Sequence, residues 1–225
     1  MIQAVLFDFN GVIVDDESQH CEAFQRVLAA EGIALTREQY YADYLGLDDR
    51  TGFVEAYRRA ARTLTTELLS YLVAQKSEVY LNIMSAALPI VPGAREFVRA
   101  AAARFRLGIV SGALRREIDA MLARTERDFA SLFEVIIAAE DVRSCKPDPA
   151  AYLAGLDALN RRKAITAGAC VVVEDSLPGL AAARAAGMPC VVLTTSHPSE
   201  RFAGRGAAMV WDSFAGHTPA ELAAV

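Results

Sequence analysis

The chain lacks a cysteine pair at metal-binding or disulfide spacing, a basic stripe, and any apolar run long enough for a bilayer. Its four cysteines, Cys21, Cys145, Cys170 and Cys190, are widely separated and belong to no Cys/His cluster, which excludes a zinc knuckle and a dense disulfide framework. Acidic and basic residues are mixed throughout and sum to a formal charge of -5. Nothing therefore concentrates positive charge against a phosphate backbone, and no nucleic-acid partner is expected. The first residues enter a strand-like run without a basic leader region or cleavage site, and no apolar stretch approaches the roughly 20 residues of a membrane span. A protein of the reducing cytoplasm, with no membrane partner, is the expectation. Lysine is scarce too: among 23 basic residues only Lys76, Lys146 and Lys163 are not arginine.

What the chain does have is apolar content, 53% of 225 residues, enough for one substantial core or a core with a smaller companion. Short β-branched runs recur at residues 2–9, 107–110, 135–138, 170–173, 190–194 and 209–211 and read as buried strands. Helical patterns separate most of them, punctuated by Asp148-Pro149, Pro178 and Gly187. Strands alternating with helices predict an α/β fold, a parallel sheet covered on both faces. The interval between the first two strands is far longer than one crossover needs. It holds no convincing strand, but amphipathic stretches at 18–31, from the capping-box pair Thr36 and Gln39, at 49–61 and at 65–86. We read an inserted helical cap, residues 15–88, with the core made of 1–14 and 89–225.

Open parallel sheets bind ligands beyond the carboxyl ends of their strands. The residues there are Asp8 after the first strand, Ser111-Gly112 after the second, Lys146 in the loop after the third, and Glu174-Asp175 after the fourth. Singly, each has an ordinary reading as a helix cap, a turn residue or a solvated charge. Caps and turns do not require the joint placement. Three carboxylates would repel one another unless a cation joined them, and hard oxygen ligands at a phosphate cleft suit Mg²⁺. Ser111, ahead of a helix, offers a hydroxyl and backbone N–H groups to a phosphoryl oxygen. Lys146 supplies a compact positive charge, which leaves Asp8 as a nucleophile able to form an aspartyl-phosphate.

At these residues the sequence resembles the haloacid dehalogenase-like superfamily, in its phosphatase and β-phosphoglucomutase-like branch with a helical cap. Asp8-Phe-Asn-Gly-Val12, Val110-Ser-Gly112, Lys146-Pro147 and Val173-Glu-Asp-Ser176 match its four motifs in order. The resemblance implies a Rossmann-like core and Mg²⁺ held by Asp8, Asp175 and the backbone carbonyl of Asn10, with Glu174 in or near the shell. It also implies a small phosphorylated metabolite as substrate, contacted in the cap by His20 and Arg50. In the phosphoglucomutase branch a lysine precedes the glycine matching Gly46, whereas Leu45 stands here. Phosphonate chemistry would need a cap lysine, and Lys76 is the one available.

Asn10 departs from the family's phosphatases, which carry there a second aspartate that protonates the leaving oxygen and then activates water. An amide does neither, and such catalysis is worth about 10²–10⁴ in rate. Four explanations stand open: a substrate with a good leaving group; proton transfer by Asp16, Glu17 or His20; a quiet relative that binds a phosphorylated ligand; or an engineered change. The expected activity is Mg²⁺-dependent hydrolysis of a small phosphomonoester through Asp8, with a weakly active or non-catalytic phospholigand-binding relative, or a phosphomutase, as alternatives. Asn10-Gly11 is also a dipeptide prone to deamidation.

Overall fold

The computed structural model describes residues 1–225, and the chain divides into two compact units, Met1–Asp15 with Pro89–Val225, and Asp16–Leu88. The first unit contains six strands: β1 (Ala4–Phe7), β2 (Arg106–Val110), β3 (Val135–Ile137), β4 (Cys170–Glu174), β5 (Cys190–Leu193) and β6 (Met209–Trp211). All neighbouring pairs are parallel, in the order β3-β2-β1-β4-β5-β6. That is the doubly wound Rossmann-like arrangement, and the order reverses beside β1, where such sheets bind ligands.

Alternation along β1 shows why its sequence is apolar without a break. Ala4 and Leu6 join one buried cluster with Tyr152, Leu156, Val172 and Leu180, while Phe7 packs edge-on against Phe133 and tilted against Phe214. Both faces are covered, so every β1 residue is buried. The helices of this unit are α5 (Ala94–Ala102), α6 (Arg115–Thr125), α7 (Ala150–Asn160) and α8 (Leu177–Ala185). α7 packs on β2 and β3, and α8 on β4 and β5.

The second unit is wholly helical: α1 (Glu17–Ala30), α2 (Arg37–Asp43), α3 (Asp49–Arg59) and α4 (Thr66–Ala86). Its helix starts follow local chemistry. Thr36 and Gln39 form the expected capping box, Asp48 caps α3 through Arg50 and Thr51 N–H, and Thr65 caps α4 through Leu68 N–H. α1 and α3 both pack on the long α4, burying Phe24, Phe53, Tyr57 and Leu72. No helix is long and apolar enough to cross a membrane.

Candidate active site

The sheet unit gathers four charged side chains at the carboxyl ends of its central strands. Asp8 follows β1, and its N–H donates to the Val173 carbonyl at 2.9 Å, carrying the ladder one residue past the strand. The Phe9 N–H donates to Asp8 Oδ1 at 2.7 Å. Lys146, on the loop after β3, places Nζ 3.1 Å from Asp8 Oδ1 and 2.7 Å from Glu174 Oε1, and donates to the Val110 carbonyl at 3.1 Å. Its ammonium also lies 4.9 Å from the centre of the Tyr152 ring.

Glu174 is fully buried and accepts five hydrogen bonds. Lys146 and the Tyr152 hydroxyl donate to Oε1, each at 2.7 Å; the N–H groups of Asp175 and Ser176 and the Ser176 hydroxyl donate to Oε2, at 3.0, 3.0 and 2.9 Å. α8 fits closely over it: a Cβ at Gly179 would lie 1.8 Å from Oε1. This carboxylate thus holds Lys146 and the turn into α8. The cap of α8 is Ser176, whose hydroxyl accepts from the Gly179 N–H.

Oxygen atoms of Asp8, Glu174 and Asp175 lie within 4.8 Å of one another, and all three groups are at least nine-tenths buried. Burial pushes the Asp8 carboxyl well above its usual range, with Lys146 opposing the shift and Glu174 adding to it. Burial also works to raise Glu174, but the Lys146 charge and the surrounding donors overcome it and hold Glu174 low. Three carboxylates against one ammonium leave a formal charge of -2 at this strand edge, set by Asp8, Glu174, Asp175 and Lys146. A divalent cation balances that charge, and an all-oxygen donor set suits Mg²⁺. The residues fit the ion.

Ser111 follows β2, is buried, and accepts the Ala113 N–H at 3.1 Å while its hydroxyl donates to Asn10 Oδ1 at 3.4 Å. Gly112 beside it is exposed. The expected amide therefore sits against the expected phosphate-binding hydroxyl. Gly11, at φ 70°, turns the chain sharply, and its N–H donates to the Val14 carbonyl at 2.6 Å. A Cβ at Gly11 would lie 1.8 Å from Asp175 Oδ2, so glycine is required by close approach as well as by backbone conformation.

The helical unit has its own buried polar cluster. Lys76 Nζ, on fully buried Lys76, lies 2.8 Å from Asp49 Oδ1 and 2.5 Å from His20 Nδ1. His20 stacks on Tyr80 with ring centres 4.3 Å apart and places Nε2 3.4 Å from Asp16 Oδ2, which also accepts from the Tyr80 hydroxyl. Glu17 accepts from the Tyr40 hydroxyl at 2.5 Å. The ion pair with Asp49 and the contact with His20 occupy the cap lysine that phosphonate cleavage would need for an imine. Arg50 is exposed in the first turn of α3 and does not join this cluster.

Reading strand ends found the four charges but missed three supports. Tyr152 lies mid-helix in an apolar pattern and looks like ordinary core. Thr195 and Ser196 follow β5, where the same strand-end reasoning would have found them: Thr195 Oγ1 donates to the Gly11 carbonyl at 2.5 Å, and Ser196 Oγ donates to Asp175 Oδ2.

A doubly wound sheet with a strand-end aspartate, a lysine and an acidic pair defines a phosphoryl-transfer class of α/β enzyme. The comparisons with known proteins sharpen this. The pattern of haloacid dehalogenase-like hydrolases matches residues 2–187, and the chain belongs to that family. It is 34% identical to Protein CbbY of Rhodobacter capsulatus over 204 residues, covering 87% of this chain and 86% of the relative. It is 29% identical to the phosphorylated carbohydrates phosphatase of Thermotoga maritima over 187 residues, covering 83% and 82%. Among solved structures, CbbY of Rhodobacter sphaeroides, crystallised as an Asp-to-Asn mutant with Xylulose-(1,5)bisphosphate, superposes with a TM-score of 0.83 at 28% identity, covering 96% of each chain. The protein is an enzyme of this hydrolase family, in its phosphatase and phosphomutase branch.

Proposed function

We propose that the protein hydrolyses a small phosphorylated sugar or sugar-like metabolite, with Mg²⁺ as cofactor and Asp8 as nucleophile. The observation that carries this is the convergence of Lys146, Glu174 and Asp175 on Asp8. Asp8, Asp175 and the Asn10 carbonyl would hold the cation, with Glu174 supporting from behind through Lys146. The ion would supply charge to the phosphoryl group and to the Asp8 carboxylate. Lys146 neutralises charge developing on the phosphoryl oxygens, and Ser111 with the backbone beside Gly112 binds one of those oxygens. An Asp8 oxygen attacks phosphorus, the ester P–O bond breaks, and water then hydrolyses the aspartyl-phosphate to regenerate Asp8.

The departing oxygen needs a proton that Asn10 does not give. Asp16, Glu17 and His20, on the helical unit, remain the proposed sources, and His20 and Arg50 the proposed substrate contacts. Two relatives named as phosphatases, the Thermotoga protein and a validoxylamine A 7'-phosphate phosphatase of Streptomyces hygroscopicus subsp. limoneus at 30% identity, support a phosphomonoester, and the first, named for phosphorylated carbohydrates, supports a phosphosugar. The cytoplasm is the proposed compartment.

The amide also favours a second reading, in which the protein holds its phosphosugar and turns it over slowly. Phosphate release from a panel of sugar phosphates with Mg²⁺ tests both. The Asn10→Asp variant should gain about 10²-fold or more in turnover, and Asp8→Asn should release nothing. Ligand binding without release by either the native protein or Asn10→Asp would favour the second reading. Release that persists in Asp8→Asn would refute the nucleophile.

A further inference from the structure

The end of β5 reaches across to both of the neighbouring site loops. Thr195 and Ser196 are consecutive; the first ties the Gly11 carbonyl, on the loop after β1, and the second ties Asp175, on the loop after β4. The sheet does not need either hydroxyl. The ladder beyond β5 is continued by the Thr194 N–H, which donates to the Trp211 carbonyl at 2.9 Å.

An aspartate carboxylate rotates about a broad, soft torsion unless something holds it. Asp175 Oδ2 is held twice: the Ser196 hydroxyl donates to it, and the bare Cα of Gly11 packs so close that a Cβ there would come within 1.8 Å. Fixing one oxygen fixes the direction of the other. Oxygen atoms of Asp8, Glu174 and Asp175 converge within 4.8 Å, so the plane of Asp175 decides how well that group accepts an ion. Thr195 holds the Gly11 loop that packs against Asp175, and the Gly11 peptide adjoins the Asn10 carbonyl.

We propose that Ser196 is a positioning residue that sets the rotation of the Asp175 carboxylate for the divalent cation, with Thr195 anchoring the Gly11 peptide to the same strand end. This rests on the Mg²⁺ reading of the site. Partners that orient metal ligands in this way are typically worth about 10–100-fold in metal affinity.

The test is calorimetric titration of MgCl₂ into the full chain, without substrate, comparing the native protein with Ser196→Ala, Ser196→Thr, Thr195→Ala and Asp175→Asn, alongside melting of each in EDTA. Ser196→Ala should bind Mg²⁺ about 10-fold more weakly or worse, while still melting in EDTA as a cooperatively folded protein. Ser196→Thr, which keeps the hydroxyl, should recover most of the loss. Equal affinity in the native protein and Ser196→Ala would overturn the proposal. So would an equal loss in Ala and Thr variants, or failure of Ser196→Ala to fold in EDTA, since both would make the role one of packing. If the native protein binds no Mg²⁺, or Asp175→Asn binds it normally, the cation reading itself falls and takes this inference with it.

Discussion

Replacing Lys146 with methionine removes one charge and little volume, and its cost can be worked from two distances. At 2.7 Å from Glu174 and 3.1 Å from Asp8, each attraction is worth on the order of 5–6 kcal/mol at an effective dielectric of about 20. Bringing the ammonium out of water offsets most of that, so the net loss on breaking such a buried pair is about 3–5 kcal/mol. Here the lower end applies, because Glu174 keeps the Tyr152 hydroxyl, two N–H groups and the Ser176 hydroxyl. About 3 kcal/mol in a protein of this size lowers the melting temperature by roughly 6–12 °C. Lys146→Met also leaves the site more negative, so Mg²⁺ should stabilise the variant more than it stabilises the native protein. Melting of both proteins in EDTA and in a MgCl₂ series measures this directly. Turnover should fall by about 10²–10³, the usual cost of losing one preorganised electrostatic partner. If the variant melts with the native protein in EDTA, the charges at this strand edge do not depend on Lys146, and the electrostatic account of the site is wrong.

Tyr152→Phe deletes one donor to a buried carboxylate and should cost about 1–3 kcal/mol, read by denaturant unfolding at constant m-value; an unchanged midpoint would show that Glu174 does not rely on it. Deamidation at Asn10 requires the Gly11 nitrogen to attack the side-chain carbonyl, and that N–H is committed to the Val14 carbonyl at 2.6 Å. Native protein should therefore gain mass at this peptide far more slowly than the urea-unfolded chain; equal rates on peptide mapping would contradict the loop geometry. Burial pushes the thiols of Cys21, Cys170 and Cys190 upward, Cys170 to about 12. Cys145 is partly exposed, so a thiol reagent at pH 8 should modify Cys145 first and the other three only on unfolding.

Legibility in the sequence followed the range of the physics involved. Strands were readable because a parallel strand buried on both faces has to be apolar along its whole length, as β1 and β4 are. The helix starts of the second unit were readable because Thr36 with Gln39 is a contact between near neighbours in the chain. The strand-end charges were readable because topology alone assigns them an edge. Tyr152 was not: its hydroxyl meets Glu174 across 22 positions, and nothing local to α7 distinguishes it from core aromatics. Nor was the pairing of Lys76 with Asp49 and His20, which depends on how α1, α3 and α4 pack.

Asn10 shows how the two kinds of information combine. The family resemblance leads one to expect an acid here, and the structure shows that the amide is not idle, since it accepts the Ser111 hydroxyl at 3.4 Å. A carboxylate at this position would sit as another negative charge beside the hydroxyl proposed to bind a phosphoryl oxygen, and near a cluster already carrying a formal excess of acid. The amide relieves that repulsion and leaves the backbone carbonyl available to an ion, so substrate and Mg²⁺ should bind Asn10 protein at least as tightly as the Asn10→Asp variant, although the variant should turn over faster. Titrating a non-hydrolysable phosphonate analogue into both, with Mg²⁺ present, separates the two effects. Tighter binding by Asn10→Asp would mean that the position serves ligand capture through its charge, and the division of labour argued here would be wrong.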